Sequence, residues 1–304
     1  MGNRCTRLIY RQNAKLDTIF ILFLRNSMGI IVVAKKELQD LLSSRGTIVI
    51  LIVYTMVILS SINDVNILLS NGTVPDNQIV IMTLDVFFRD LSVYGAILSI
   101  LIGFISISSE KINDSLSTLI TKPLFRDTII NGKLLGCTVF VTLILLLTSV
   151  IYISLLIITI GHPFVSVLIN FLDRAIIIFL LVMIYIVFFT CLSMAITIVV
   201  ENQGTALLTS SVLFIFLSFV IPNVSFAGNL SLLFNENENM VRYLLTFLSP
   251  GWTLNTVVYG GLIDPSVDVL LFFKYNYFEF IKLLLSLLIV MLTNYFIFLR
   301  SDVR

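Results

Sequence analysis

Long apolar runs without a charged side chain recur along this sequence, separated by shorter polar segments. Their lengths suit membrane-crossing helices, because the hydrocarbon region of a bilayer takes about 20 helical residues. The runs do not alternate in polarity, as in FVTLILLLTSVIYISLLIITI at 140–160, which argues against the strands of a transmembrane barrel. The pattern predicts an all-α integral membrane protein of six transmembrane helices. These spans are expected near residues 47–62, 91–108, 134–160, 175–200, 205–221 and 283–299.

The polar segments between the spans differ in character. ENQG joins the fourth and fifth spans as a tight hairpin, whereas about sixty residues separate the fifth span from the sixth. Within that long segment, MVRYLLTFLSPGWTLNTVVYGGLI is moderately apolar and interrupted by Pro250 and Gly251. We expect it to form short interfacial or re-entrant outer helices before the sixth span.

Residues 30–45 form a two-faced helix at 100° per residue. One arc is apolar, and the other carries Lys36, Gln39, Asp40, Ser43 and Ser44. Such a helix is expected to lie along the membrane surface, with Lys35 and Arg45 reaching the headgroups. Residues 1–29 are interpreted as a poorly defined N-terminal extension. The sequence leaves open whether translation starts at Met1 or at Met28. The apolar arc consists of Ile31, Ala34, Leu38, Leu41 and Leu42.

The segment 108–136, SSEKINDSLSTLITKPLFRDTIINGKLLG, is too charged to enter the membrane and too patterned to be a plain linker. Apolar residues recur at helical spacing up to Pro123, which ends that helix, and a second helix begins near Asp127. The result is a helix, a break and a second helix with an apolar stripe. An apolar stripe outside the lipid indicates a protein partner.

Lys and Arg are unevenly distributed between the two sides that the spans define. If the N-terminus lies in the cytosol, fourteen of the 19 Lys and Arg residues fall in cytoplasmic segments. Cytoplasmic segments of membrane proteins carry an excess of these residues. We therefore expect a multi-pass protein with both termini in the cytoplasm. The outside residues are then Arg89, Arg174, Arg242, Lys274 and Lys282.

Catalytic and ligand-binding patterns are scarce. The composition is 58% hydrophobic and 12% charged, with a net charge of +1 and no basic tract of the kind that binds nucleic acid. The one histidine, His162, reads as a loop residue before Pro163, and the three cysteines lack the spacing of a zinc site or a disulfide framework. No P-loop is present, so ATP is not expected to bind here in that way. We expect neither an enzyme nor a cofactor or metal site on this chain.

The sequence resembles the permease subunits of ABC transporters, specifically the ABC-2 (type V exporter-like) class. Three stretches carry the resemblance: VAKKELQDLLSSRG, the segment 108–136 and the C-terminal FLRSDVR. The tripeptide LSP at 248–250 is similar to a recurrent outer-loop motif of the family. In the segment 108–136 the family pattern falls on Glu110, Lys111, Leu116, Leu119, Pro123, Arg126, Gly132 and Lys133.

The resemblance implies that residues 30–304 form an ABC-2-like transmembrane domain in the plasma membrane, most typically of an exporter. Two identical or related subunits then form the pathway, and separate ATPase subunits supply ATP and magnesium. The segment after the second span corresponds to a coupling helix that contacts the ATPase through Glu110, Lys111, Leu116, Leu119, Pro123, Arg126 and Lys133. The helix before the first span corresponds to a connecting helix with Lys35, Lys36, Glu37, Asp40 and Arg45.

Two other classes of membrane protein are compatible with the predicted spans. One is a stand-alone carrier or channel, and the other is a membrane-embedded enzyme or an immunity-type protein without transport activity. The charge-free spans weaken an ion-coupled carrier, since such carriers place ionisable residues along the pathway. The substrate, the choice between homodimer and heterodimer, and the pathway-lining residues are left open by the sequence.

Overall fold

The structure is a computed structural model that describes residues 29–70, 75–112, 126–221, 223–234, 240–241, 244–245 and 249–300. No strand occurs among these residues. The helices are α1 (29–43), α2 (Arg45–Ser70), α3 (Asp76–Arg89), α4 (Gly95–Ile112), α5 (Arg126–Ile160), α6 (His162–Val199), α7 (Gln203–Ile215), α8 (Val224–Phe234), α9 (Pro250–Val257) and α10 (Val269–Arg300). Three π-helical turns, Asp90–Tyr94, Phe216–Val220 and Val258–Leu262, continue α3 into α4, extend α7 and extend α9.

Among the residues that the structure describes, six helical segments are long and apolar enough to cross a membrane, which confirms the number of predicted spans. They are Arg45–Asn63, Asp76–Ser109, Thr128–Ile160, His162–Val199, Gln203–Val220 and Leu271–Phe298. The tight hairpin between the fourth and fifth spans is also present. There Asn202 caps α7, since its side chain accepts a hydrogen bond from the Gly204 N–H at 2.9 Å.

Three spans begin earlier than predicted. The second helical segment starts at Asp76, the fourth at His162 and the sixth at Val269, each more than ten residues before the charge-free run that it contains. His162 is therefore an exposed residue in the first turn of α6 and not a loop residue, because Gly161, at φ 72°, is the single residue between α5 and α6. The hydropathy of the sequence indicates where charged residues interrupt an apolar run. A helix, in contrast, continues until its backbone hydrogen bonding is interrupted.

The charged residue directly before each of four charge-free runs is buried. Relative exposure is 3% for Asp90, 2% for Lys133, 6% for Arg174 and 8% for Lys282. A charge that faces hydrocarbon is costly, and these side chains turn towards the protein interior instead. At Lys133 and Arg174 the ends of the predicted spans are therefore points where the helices are joined to neighbouring segments, whereas Lys282 pairs with Glu279 of its own helix.

α6 is the central helix of the bundle. It packs against α3, α4, α5, α7, α9 and α10, and its buried aromatic residues contact several of these helices. Phe171 packs edge-on against Phe87 of α3, with ring centroids 5.8 Å apart, and Phe189 packs edge-on against Phe214 of α7 at 5.1 Å. The Ser193 hydroxyl donates to the Ile100 carbonyl of α4 at 2.7 Å. We call the end of the bundle that holds α1 the α1 end and the opposite end the α9 end.

At the α9 end, the short helix α9 is joined to α7 through a π turn. The Ile221 N–H bonds to the Phe216 carbonyl, five residues back, so the Leu217 carbonyl loses its usual helical donor. The Ser249 hydroxyl donates to that carbonyl at 2.6 Å and also accepts from the Trp252 N–H at 3.0 Å as the N-cap of α9. One buried serine therefore completes the hydrogen bonding of two helices.

The other end of the α9 segment is joined to α6 and α3. Arg174 donates to the carbonyl oxygens of Leu262 and Val267 at 2.9 and 2.8 Å. The Tyr259 hydroxyl donates to Asp85 Oδ1 on α3 at 2.6 Å. Pro250, predicted to interrupt this segment, is the first residue of α9, where the helix needs no N–H donor from proline.

Replacement of Ser249 by Ala removes both the cap of α9 and the donor to Leu217. We expect a loss of about 1–2 kcal/mol of stability, in the range of a lost N-cap, and faster proteolysis between α8 and α9. Thermal unfolding and limited proteolysis of the detergent-solubilised protein measure both effects.

The matched control is Thr256→Ala, because the Thr256 hydroxyl is exposed and bonds only within α9, to Trp252 O. Equal unfolding temperatures for the two variants would contradict the role given to Ser249.

Candidate functional site

The predicted contact residues that the structure describes lie on both sides of the segment 113–125, at the α1 end of the bundle. Leu116, Leu119 and Pro123 fall within that segment, outside the described residues. Glu110 belongs to the last turn of α4, and Arg126 is the first residue of α5, so both border that segment. The remaining predicted residues, Lys111, Lys133 and those of α1, have described side chains.

α1 packs on α5 through two glycines. A Cβ atom added to Gly132 would lie 2.6 Å from Cβ of Val33, and one added to Gly136 would lie 2.8 Å from Cβ of Glu37 and 2.9 Å from the Ala34 carbonyl oxygen. Neither position has room for a larger residue. Glycines four residues apart on one helix let the backbone of a second helix approach closely.

An ion pair lies directly beside this contact. Lys133 Nζ of α5 donates to Glu37 Oε2 of α1 at 2.7 Å and to the Ser106 carbonyl of α4 at 2.9 Å. Both charged side chains are almost fully buried. Lys133 therefore joins α1, α4 and α5 at a single point inside the protein.

Lys111 joins α4 to α6. Its ammonium group donates at 2.6 to 3.2 Å to three carbonyl oxygens at the C-terminal end of α6. Cations are favourable at a helix C-terminus, where carbonyl groups lack helical donors. Desolvation lowers the pKa of Lys111 below its ordinary value, against the opposing effect of the Glu201 carboxylate. The acceptors are the carbonyls of Thr197, Ile198 and Val200.

The surface of α1 divides into three parts. Ala34, Glu37 and Leu41 face the protein, while Ile31 and Leu42 are 63% and 57% exposed. Lys35, Lys36 and Asp40 of α1 are also exposed, as is Arg45, the first residue of α2. The predicted apolar arc is therefore shared between protein contact and open surface, and Glu37 is the predicted α1 residue that is buried.

A polar cleft of about 460 Å³ separates part of α1 from α4. Lys36, Glu37 and Asp40 line it from α1, Ile105 and Ser109 line it from α4, and Lys133 lies at its base. α1 is thus in close contact with α5 and borders an open space on the side of α4.

Lys111, Lys133 and Glu37 are predicted to take part in ATPase contact, and all three make contacts within this chain. Their part in ATPase contact stays a prediction. Two features of the sequence indicate the internal contacts. Glu37 shares a helical face with Ala34 and Leu41, an unusual position for an unpaired charge, and NGKLLG contains glycines at the spacing of a close helix contact.

Among the described residues, no group of three or more His, Cys, Asp or Glu side chains could hold a metal ion. Cys137 and Cys191 are buried and do not form a disulfide.

The fold and this site define a helical membrane protein with six apolar spans. The family model described as "ABC-2 family transporter protein" matches residues 31–303. Among curated proteins, none matches the chain. The chain belongs to the ABC-2 family of transporter proteins, as the resemblance predicts, and its spans are those of a membrane component of a transporter.

Replacement of Lys133 by Met leaves the Glu37 carboxylate buried without its ammonium partner. Breaking a buried ion pair in this way costs about 3–5 kcal/mol, so the thermal unfolding temperature in detergent should fall sharply. The double variant Glu37→Met with Lys133→Met removes both charges and should recover most of the loss.

The control is Lys35→Met, which removes an exposed lysine from α1. A single variant as stable as this control, or a double variant less stable than the single one, would contradict the pairing.

Proposed function

We propose that this protein is the permease subunit of an ATP-driven ABC exporter in the plasma membrane. Two copies, or one copy with a related subunit, form the translocation pathway. ATP and magnesium bind to separate ATPase subunits, which dock at the α1 end. Both termini of the chain are cytoplasmic in this assignment.

The observation that carries the proposal is the joint of α1, α4, α5 and α6 around Glu37, Lys133 and Lys111. The charged residues of this joint make contacts within the chain. These contacts connect α1 to α5 and the end of α4 to the end of α6. The segment 113–125 leaves from this joint, between α4 and α5. A force applied to the segment or to α1 would therefore reach three spans directly.

Exposed groups at the α1 end fit a protein partner. Lys35, Lys36, Asp40 and Arg45 provide charges of both signs on and beside α1. Electrostatic complementarity of this kind orients partners and sets specificity. The exposed apolar residues Ile31 and Leu42 suit the lipid interface beside this surface.

ATPase docking is tested by co-purification with the cognate ATPase in mild detergent. We expect Glu110→Lys, Arg126→Glu and Leu119→Pro each to reduce recovery of the ATPase by about tenfold or more, because a disrupted charged contact in an interface costs several kcal/mol. Membrane insertion should be unchanged.

The control is Lys274→Glu, an exposed charge reversal in α10 at the α9 end. Full ATPase recovery by all three variants would exclude the proposed docking surface, and transport by the chain alone without ATP would favour a stand-alone carrier.

Orientation is tested with a membrane-impermeant maleimide on intact cells. Asn229→Cys on α8 should be labelled from outside, whereas Ser43→Cys on α1 should react only after permeabilisation; both positions are exposed.

Cys5 is replaced by Ser in both variants, and the buried Cys137 and Cys191 stay in place. Labelling of Ser43→Cys in intact cells would place α1 outside and rule out ATPase docking there.

A further inference from the structure

α1 lies beside two helices, α5 and α4, and it packs much more closely against α5. Towards α5 its backbone lies against Gly132 and Gly136, and its N-terminal residue Gly29 approaches Thr128 so closely that an added Cβ would lie 2.9 Å from the Thr128 methyl group. This contact extends over more than two turns of both helices. Close-packed helices of this kind do not slide past each other without changing their side-chain packing.

Towards α4, α1 borders the cleft of about 460 Å³. The hydrogen bond from Lys133 to the Ser106 carbonyl at the base of this cleft joins α5, and not α1, to α4. Ser106 itself is buried and lines this cleft from α4. The space allows α1 and α4 to approach each other.

The bonds from Lys133 to Glu37 and to Ser106 differ in what their loss would cost. Loss of the Glu37 bond leaves a buried carboxylate without its counter-ion, which is strongly unfavourable. Loss of the Ser106 bond leaves a neutral carbonyl, for which the cost is smaller. A displacement at this joint should therefore preserve the contact of α1 with α5 and change the contact that these two helices make with α4.

The connection between α1 and α2 permits such a displacement. Ser44 is the one residue between the two helices, and the adjacent Gly46 is exposed. Hinges commonly consist of a few such residues at the ends of helices. The Leu41 carbonyl at the end of α1 accepts from the Ser44 N–H at 3.4 Å and from the Thr47 hydroxyl at 2.7 Å, so the turn is held at one carbonyl.

We infer that α1 and α5 move as one rigid unit during the ATP cycle, turning at Ser44, and that the cleft between α1 and α4 changes width. Glu37 and Lys133 are the positioning pair that transmits displacement of α1 to the third span. This inference rests on the proposed function, because it takes the driving displacement from the ATPase. It adds the path that the displacement follows: across to α5, and not along the chain into α2.

Pulsed electron paramagnetic resonance on the ATPase complex in nanodiscs tests this path. One spin label at Lys35→Cys on α1 is paired either with Asn131→Cys on α5 or with Ser109→Cys on α4. All three positions are exposed, Cys5 is replaced by Ser, and Cys137 and Cys191 are buried. Distances are compared without nucleotide and after trapping with ATP and vanadate.

We expect the distance from α1 to α4 to change by up to about 5 Å, on the order of one helical turn, while the distance from α1 to α5 stays constant. Equal changes in both distances, or none in a complex that hydrolyses ATP, would overturn the inference and leave the proposed function intact. Failure of the ATPase to co-purify would overturn the proposed function itself.

The role of the ion pair is tested with the same labels. In Glu37→Gln and Lys133→Gln the ATPase should still bind, but the α1 to α5 distance should now change on trapping. The exchanged variant Glu37→Lys with Lys133→Glu should restore the constant distance.

A pair that only stabilises the fold would lower the unfolding temperature and leave the α1 to α5 distance constant on trapping, which would contradict the positioning role. If the single variants do not fold, the exchanged variant decides: a constant distance supports the pair, and a changed one contradicts it.

Discussion

A charged side chain at the edge of hydrocarbon must find polar partners within the protein, and this requirement determines where the peripheral parts of the molecule attach. Lys133 contacts Glu37 and so fixes α1, while Arg174 contacts two carbonyls and so fixes the segment after α9. Lys282 pairs within its own helix with Glu279. The apolar bundle around α6 supplies the scaffold, and the buried charges at its ends select the elements that complete it.

The two ends of the bundle meet this requirement in different ways. At the α1 end, the contacts are between charged side chains and between closely packed backbones, as at Glu37 and Gly136. At the α9 end, side chains such as Ser249 and Arg174 satisfy backbone carbonyls that irregular turns have left without donors. The first arrangement suits the transmission of force. The second ties a short helix to its neighbours by a few directional bonds.

The number of spans and the family followed from the sequence, because charge-free runs and the pattern around Pro123 are local signals. The helix starts at Asp76, His162 and Val269 did not follow, since charged residues there are accommodated by neighbours that are distant in sequence. The same limit applies to the site. Lys111 and Lys133 match a family motif, but their acceptors lie on α6 and α1, tens of residues away, and no local pattern names them.

Each π turn contains one residue more per turn than a regular α-helix, and the extra residue rotates everything that follows by about 100°. The turn at Asp90–Tyr94 therefore sets which face of α4 points inward relative to α3. Loss of a single residue at this turn would restore regular helix and present a different stripe of α4 side chains to the bundle. The turn at Phe216–Val220 ends the fifth span, so it rotates only the chain that follows that span. The packing of the second span thus depends on an inserted residue as much as on its apolar composition.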